Sequence, residues 1–524
     1  MPYPRALLTC LLVLVSGVAL AQNDPSPDTI FSEILEVRVV NLEVVVEDRQ
    51  GNRVTDLQPG DFQLLVDGEV LPIDYFTEIE GGQVAETAGG ARSELAPESI
   101  PGIQAGERLG TSYLVFIDDY FTVKPSRNRA IEGIEEAVSL LGRKDRMAVV
   151  AFDGQRLDML TSWSQSPAAL QAVLGDAKQR PAWGNRTRLL LRDALSREAG
   201  VRAYEQRLDD IVVAIRSTLR SFAQPPGRKV MLLVAGEWPY SPAAYITDDP
   251  FSEEVIRDAT LRRSYRIFEP IYQTANRLGY TLYPIDSGGI GNGGFDMSDP
   301  RPRRPIASLA PEQEIHTTLR FLAHETGGKA MIDGGRADSL ERVVADTRTY
   351  YWLGFTPEWR GNDQVHDVEV KVLRKGLKVR SRESYQDLSR AREVSFMVES
   401  ALLFEDLPWT ASLEVEVGRS SRRKGKRIVP LTVQIPLDEV TVLPQGDRYL
   451  AQLELRVVSM DDRGARSEVD LIPFQLVGTQ EPRPGQLGVQ TLDAVVRKGA
   501  HDLVVSLHDP LSGKIFTTRL EIKG

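Results

Sequence analysis

Apolar positions in this chain follow two rhythms, which alternate along its length. From residue 34 to 80 the pattern is that of strands. Val37, Val39, Leu42, Val44 and Val46 form one run, and Phe62, Leu64 and Val66 alternate in a second. Alternation with period two predicts half-buried strands, and Asp67-Gly68 is a hairpin signal. Residues 81–110 are rich in Gly, Ala, Glu and Pro and lack apolar periodicity, so they read as a linker.

At Thr111 the pattern changes. SYLVFID, DRMAVVAFDG, KVMLLVAG and YTLYPIDSGG are near-continuous apolar runs, the form taken by strands covered on both faces. Helical stripes separate them. Ile131, Ile134, Val138 and Leu141 form one, and residues 188–222 form a longer stretch. In residues 253–278, Phe268, Ile271, Ala275 and Leu278 are in register, and Pro270 is expected to kink or split that helix. Residues 311–326 predict a helix stopped by Gly327-Gly328, followed by a short strand KAMIDG and a last helix SLERVVADTRT. Alternating strand and helix over 111–349 predicts an α/β domain: an open, mostly parallel sheet with helices on both faces.

After Tyr350 strands return, with YYWLGFTP and two alternating runs around Lys375-Gly376. The β segments on either side of the α/β domain are each too small to bury a core alone. Residues 34–80 with 350–386 therefore read as one discontinuous β-sandwich that receives the α/β domain as an insertion. Two separate small units are the alternative. Residues 395–524 hold further strands, with turns at Asp461–Gly464 and Asp509–Gly513, and read as a second β-sandwich. The basic run RSSRRKGKR at 419–427 reads as a solvated hairpin tip, with contact to an acidic surface as the other reading.

Composition narrows the functional classes. The 524 residues suit roughly three domains of about 150 residues each. A net charge of −11 argues against a nucleic-acid partner, which needs a basic face. The single cysteine is Cys10, within an apolar run from Ala6 to Leu20 that ends in Ala19-Leu20-Ala21. That run reads as a secretory signal peptide over 1–21, too short for a stable membrane span. The expected location is periplasmic, cell-envelope or extracellular. Thiolate metal sites and cysteine nucleophiles are then excluded. No nucleophile elbow, P-loop or His-Glu-x-x-His pattern occurs, so no enzyme is expected. His316 and His324 share one predicted helix without an acidic third ligand at metal spacing, and read as solvated or half-buried residues.

Several stretches occur in a telling order between residues 37 and 386. They are VNLEVVVEDRQGNRVTDLQPGDFQLLVDG, YLVFIDD, RKDRMAVVAF, GRKVMLLVAG, YTLYPIDSGGI, LAHETGGKA, YYWLGFTP and GLKVRSRESY. In order and spacing the chain resembles the VWFA-related Acidobacterial domain proteins, and its α/β segment resembles a von Willebrand factor A domain. That resemblance implies a ligand site at the carboxyl ends of the strands. In A domains that bind through a divalent ion, the first strand ends Asp-x-Ser-x-Ser. A second loop adds a Thr and a third adds an Asp. Such oxygen sets suit a hard cation such as Mg²⁺.

On this chain Asp118 takes the Asp place, and Tyr120 and Thr122 take the two Ser places. Thr187 is a displaced counterpart of the Thr, flanked by Arg186 and Arg188. Gly236 stands where the third-loop Asp belongs, with Glu237 next. The leading reading is a degenerate, ion-free site. The acidic pair Asp118-Asp119 would be met by Arg186, by Arg188 or by helix N-terminal amides. The surface of Asp118, Asp119, Tyr120, Thr122 and Glu237 would dock a protein partner. An altered Mg²⁺ or Ca²⁺ adhesion site using Asp118, Asp119, Thr122, Thr187 or Glu237 is the alternative, and a hydrolase using the acidic pair is a third. The expected function is that of an exported, non-catalytic protein-interaction protein without a cofactor.

Overall fold

The computed structural model describes residues 39–85, 104–187, 198–223, 227–240, 264–287, 310–332, 338–402, 411–423, 426–462, 464, 466–467 and 469–522. The signal-peptide reading at 1–21 lies outside them. One compact unit is Val39–Ser400, and another contains Ala401–Gly524. The chain is mixed α/β with many antiparallel strands.

The first unit begins with β1 (Val40–Glu47), β2 (Phe62–Val66), β3 (Glu69–Leu71), β4 (Tyr75–Glu80) and β5 (Gln83–Val84). It continues with β6 (Thr111–Asp118), α1 (Lys124–Ala137), β7 (Arg146–Phe152), β8 (Leu157–Ser164), α2 (Pro167–Gln179), α3 (Glu198–Ser221) and β9 (Arg228–Ala235). Then follow α4 (Glu269–Leu278), β10 (Tyr280–Asp286), α5 (Ala310–Glu325) and α6 (Ser339–Thr347). It ends with β11 (Tyr350–Phe355), β12 (Val365–Val372), β13 (Lys378–Arg380), β14 (Ser384–Gln386) and α7 (Arg390–Ser400).

Strands from both sides of the α/β segment share two antiparallel sheets, β13-β1-β11-β4-β5 and β14-β12-β2-β3. The register sets Leu42 opposite Leu353 and Leu64 opposite Val370. Leu42, Leu64, Leu353 and Val370 belong to one core with Phe62 and Tyr351. Neither set of strands could close this core without the other, because each contributes strands to both sheets.

The α/β sheet has the order β10-β9-β6-β7-β8. Its first four strands are parallel, and β8 is an antiparallel edge. Every residue of β6 is buried. Tyr113, Val115 and Ile117 pack with Ile131 and Ile134 of α1, Leu174 of α2 and Val343 of α6. Leu114 and Phe116 are equally buried and alternate to the other face, where α3 packs on β6 and β7. From β6 the chain builds outward to β7 and β8, then returns to add β9 and β10 on the other side. The carboxyl ends of β6 and β9 therefore flank a topological switch point, where open sheets of this kind form a crevice.

Several local expectations change. The Gly81-Gly82 pair, with φ of 58° and 80°, is a hairpin turn into β5, so the segment read as a linker starts as structure. Strand β8 and helix α2 were not anticipated. Leu157, Leu160 and Trp163 of β8 are spaced by three, which hides an edge strand from a period-two search. Pro270 sits in the first turn of α4, where a missing N–H costs nothing, so it opens the helix. Of the expected strand KAMIDG, the described residues 329–332 make one parallel bridge, Met331 to Ile285. Residues 188–197 and 253–263 of the expected helices lie outside the described residues. Helix α7 packs on α3 through Arg220 and Glu399 at 3.3 Å, so the C-terminal unit starts at 401 rather than 395.

That second unit holds β15 (Ala411–Ser412), β16 (Glu414–Val417), β17 (Ser421–Arg423), β18 (Lys426–Pro436), β19 (Leu443–Gln445) and β20 (Arg448–Asp461). It closes with β21 (Asp470–Gly478), β22 (Leu487–Val496), β23 (His501–His508) and β24 (Ile515–Ile522). They form two sheets, one on β20 and β23 and the other on β18 and β22. Leu431 and Val433 from one meet Leu453, Leu455 and Leu503 from the other in one core. The basic run falls on the β17–β18 hairpin.

Candidate functional site

The acidic pair stands at the carboxyl end of β6, at the switch point. Asp118 is fully buried. Its Oδ1 accepts from the backbone N–H groups of Tyr120 and Phe121, both at 2.9 Å. Its Oδ2 accepts from the Trp238 indole Nε1–H at 2.8 Å and from the Gly236 N–H at 3.3 Å. An ionised carboxylate offers about four acceptor sites. Four N–H donors occupy them, so a cation or a proton binds only by displacing one, and the Gly236 N–H at 3.3 Å is the longest.

The other two expected ligands act as donors instead. The Thr122 hydroxyl donates to the Asp118 carbonyl, and the Thr187 hydroxyl to the Tyr120 carbonyl at 3.2 Å. Both threonines are buried. Asp118, Thr122 and Thr187 thus lie on adjoining loops, and each is hydrogen-bonded to loop backbone. Gly236 confirms the tightness. A Cβ there would meet the Phe121 Cβ and lie 2.6 Å from the Phe121 carbonyl carbon and 2.7 Å from Asp118 Oδ2. Gly184 closes the loop from the other side, its N–H donating to the Thr122 carbonyl at 3.0 Å.

Asp119 turns the other way. Its carboxylate takes Arg127 Nη1 at 2.5 Å and Arg180 Nε at 2.7 Å, and Arg180 also reaches Asp158 at 2.9 Å. Arg127 is fully buried and donates further to the carbonyls of Lys178, Arg180 and Pro181 at the end of α2. The compensating cations are therefore Arg127 and Arg180, not Arg186 or Arg188. Arg186 stands over the Trp183 ring at 5.6 Å, and Arg188 lies outside the described residues. Arg127 was legible in principle. It falls in register with Ala130, Ile131 and Ile134, so a buried arginine was written into the apolar stripe of α1.

The expected docking surface needs correction. Asp118, Asp119, Thr122 and Glu237 are buried, and only Tyr120 is half-exposed. Phe121 and Trp238 fill the crevice from within, both essentially inaccessible. Trp238 was not singled out from the sequence, since nothing local tells that an aromatic three residues past a strand end will fold back over it.

Burial pushes the Asp118 carboxyl up to about 7, against the N–H donors of Phe121, Trp238 and Tyr120, which favour the ionised form. The folded protein thus holds a proton that the unfolded chain has lost at the ordinary carboxylate value. Unfolding free energy should fall as pH rises from about 4 to about 7 and level off above. The urea midpoint is expected to be lower at pH 8 than at pH 5, with a smaller drop in Asp118→Asn. An equal drop in the variant would assign the effect elsewhere.

Among the described residues, one further group offers metal-ligating atoms within 4.8 Å of one another: His324, Glu325 and Glu383. His324 is exposed, while His316 is buried beside Asp286 at 3.4 Å. The acidic neighbours of His324 are the next residue, Glu325, and Glu383 of the β13–β14 connection, which no helical spacing reveals.

No protein-family model and no curated protein matches the chain. Among solved structures, the pilus adhesin SpaC of Lactobacillus rhamnosus GG is 9% identical, with 91% of this chain and 60% of that one covered and a TM-score of 0.24. A Bacteroides uniformis β-glucuronidase is 11% identical over 34% of this chain and 19% of its own, with a TM-score of 0.16. Another, β-glucuronidase 2 of the same organism, is 10% identical over 21% and 13%, with a TM-score of 0.15. Likeness at this level carries no argument about fold or function.

Proposed function

We propose that residues 111–349 form a von Willebrand factor A-like module and that the protein is an exported, non-catalytic protein-binding protein. Its strand-end crevice works without a metal ion. The observation that carries the reading is the Asp118 carboxylate, fully buried with four N–H donors at its oxygens. The strand order supports the A-like part, with β6 central and Asp118 at the switch point. Export rests on the apolar leader before Ala21. A partner would then meet the outer surface of the module, since the crevice side chains are buried. The metal-dependent alternative needs Asp118 to leave Trp238 and the loop amides at the same time.

Calorimetric titration with Mg²⁺ and Ca²⁺ tests the ion-free part. The chain from residue 22 onward, carrying His324→Ala and Glu383→Gln to silence the separate His/Glu group, is expected to give no saturable heat. Micromolar binding in that variant would overturn the reading.

A further inference from the structure

A cavity of about 1030 Å³ lies in the first unit between the end of α5 and strands β12 to β14. Tyr272 and Ala323 line it from the α/β side, and Val368 and Ser384 from the β side. His324, Glu325 and Glu383 also line it. We propose that these three side chains bind a divalent transition cation of the zinc class, with the remaining coordination position open to the cavity.

The separations carry the argument. His324 Nδ1 lies 3.3 Å from Glu383 Oε1 and 3.8 Å from Glu325 Oε1. A tetrahedral ion with nitrogen and oxygen ligands at about 2.0–2.2 Å sets those ligand atoms about 3.3–3.6 Å apart. A charge-assisted hydrogen bond between imidazolium and carboxylate closes further, to about 2.7–2.9 Å. The same unit contains a closed histidine–carboxylate contact for comparison, His366 Nδ1 and Asp67 Oδ2 at 2.7 Å. The His324–Glu383 separation stands at ligand spacing, and the Glu325 oxygen at 3.8 Å needs to close by only a few tenths of an ångström.

The backbone brings the residues themselves together. Thr326 and Arg382 form an antiparallel bridge, and the Glu383 N–H donates to the Glu325 carbonyl at 3.3 Å. Two carboxylates are thereby set side by side, a placement that like-charge repulsion opposes and a dication relieves. One imidazole with two carboxylates suits Zn²⁺, Mn²⁺ or Co²⁺ better than Mg²⁺, which prefers oxygen alone. Two ligands come from α5 and one from the β13–β14 connection, so the ion would tie the α/β segment to the β-sheets that hold it. Nothing in this inference depends on the state of the strand-end crevice.

The test is calorimetric titration of Zn²⁺ into the chelator-stripped, tag-free chain from residue 22 onward, alongside thermal unfolding. One saturable site is expected, with affinity weakened by about 100-fold or more in His324→Ala and in Glu383→Gln. Zn²⁺ should raise the melting temperature of the wild type but not of either variant. Both side chains are exposed, so both variants should fold. Absence of saturable heat, or an affinity unchanged by both substitutions, would overturn the proposal.

Discussion

Gly236→Asp, which supplies the third-loop carboxylate that the resemblance to ion-binding A domains calls for, is expected to destabilise the first unit rather than create a metal site. The backbone there touches the Phe121 loop so closely that even a Cβ has no room. Overpacking of this kind costs about 1–3 kcal/mol. The added carboxylate would also be buried next to Asp118, with its N–H donors already engaged, which adds a penalty of several kcal/mol. A loss of about 4 kcal/mol or more is expected in urea unfolding, against about 2 kcal/mol for Gly236→Ala. A stable Gly236→Asp protein that binds Mg²⁺ would show that the crevice can open.

Asp119→Ala is expected to cost about 3–5 kcal/mol, because it leaves Arg127 fully buried without its carboxylate. The loss should shrink by half or more when Arg127 is changed to Met in the same chain, since the stranded charge goes with it. Urea unfolding of the two single variants and the double variant measures this coupling. A loss below about 1 kcal/mol for Asp119→Ala, the size of an exposed pair, would contradict the buried network.

These two residues mark where sequence reading stops. Asp118 and Asp119 are neighbours with the same chemistry, yet one carboxylate is held by amides and an indole and the other by two guanidinium groups. Alternation across the sheet sends them to different surroundings, but the surroundings come from elsewhere. Trp238 arrives from the end of β9, Arg127 from α1 and Arg180 from the end of α2. Local spacing pointed to Arg186, which instead stacks on Trp183.

Much of the architecture was legible because it depends on period alone. The apolar runs of β6, β7, β9 and β10 are those of strands covered twice, and the stripes between them are those of helices with one buried face. The two small β segments announced their partnership by being too small to stand apart. Edge elements were harder. Strand β8 carries its apolar residues at helical spacing, and α7 gives no sign that it packs on α3. What pattern could establish was the class of each long element and the address of the acidic pair at a strand end. Whether that address is open was decided by tertiary contacts, where Phe121, Gly236 and Trp238 meet over Asp118. The same holds for His324 and Glu383, because donor atoms within 4 Å in space can be far apart in the chain.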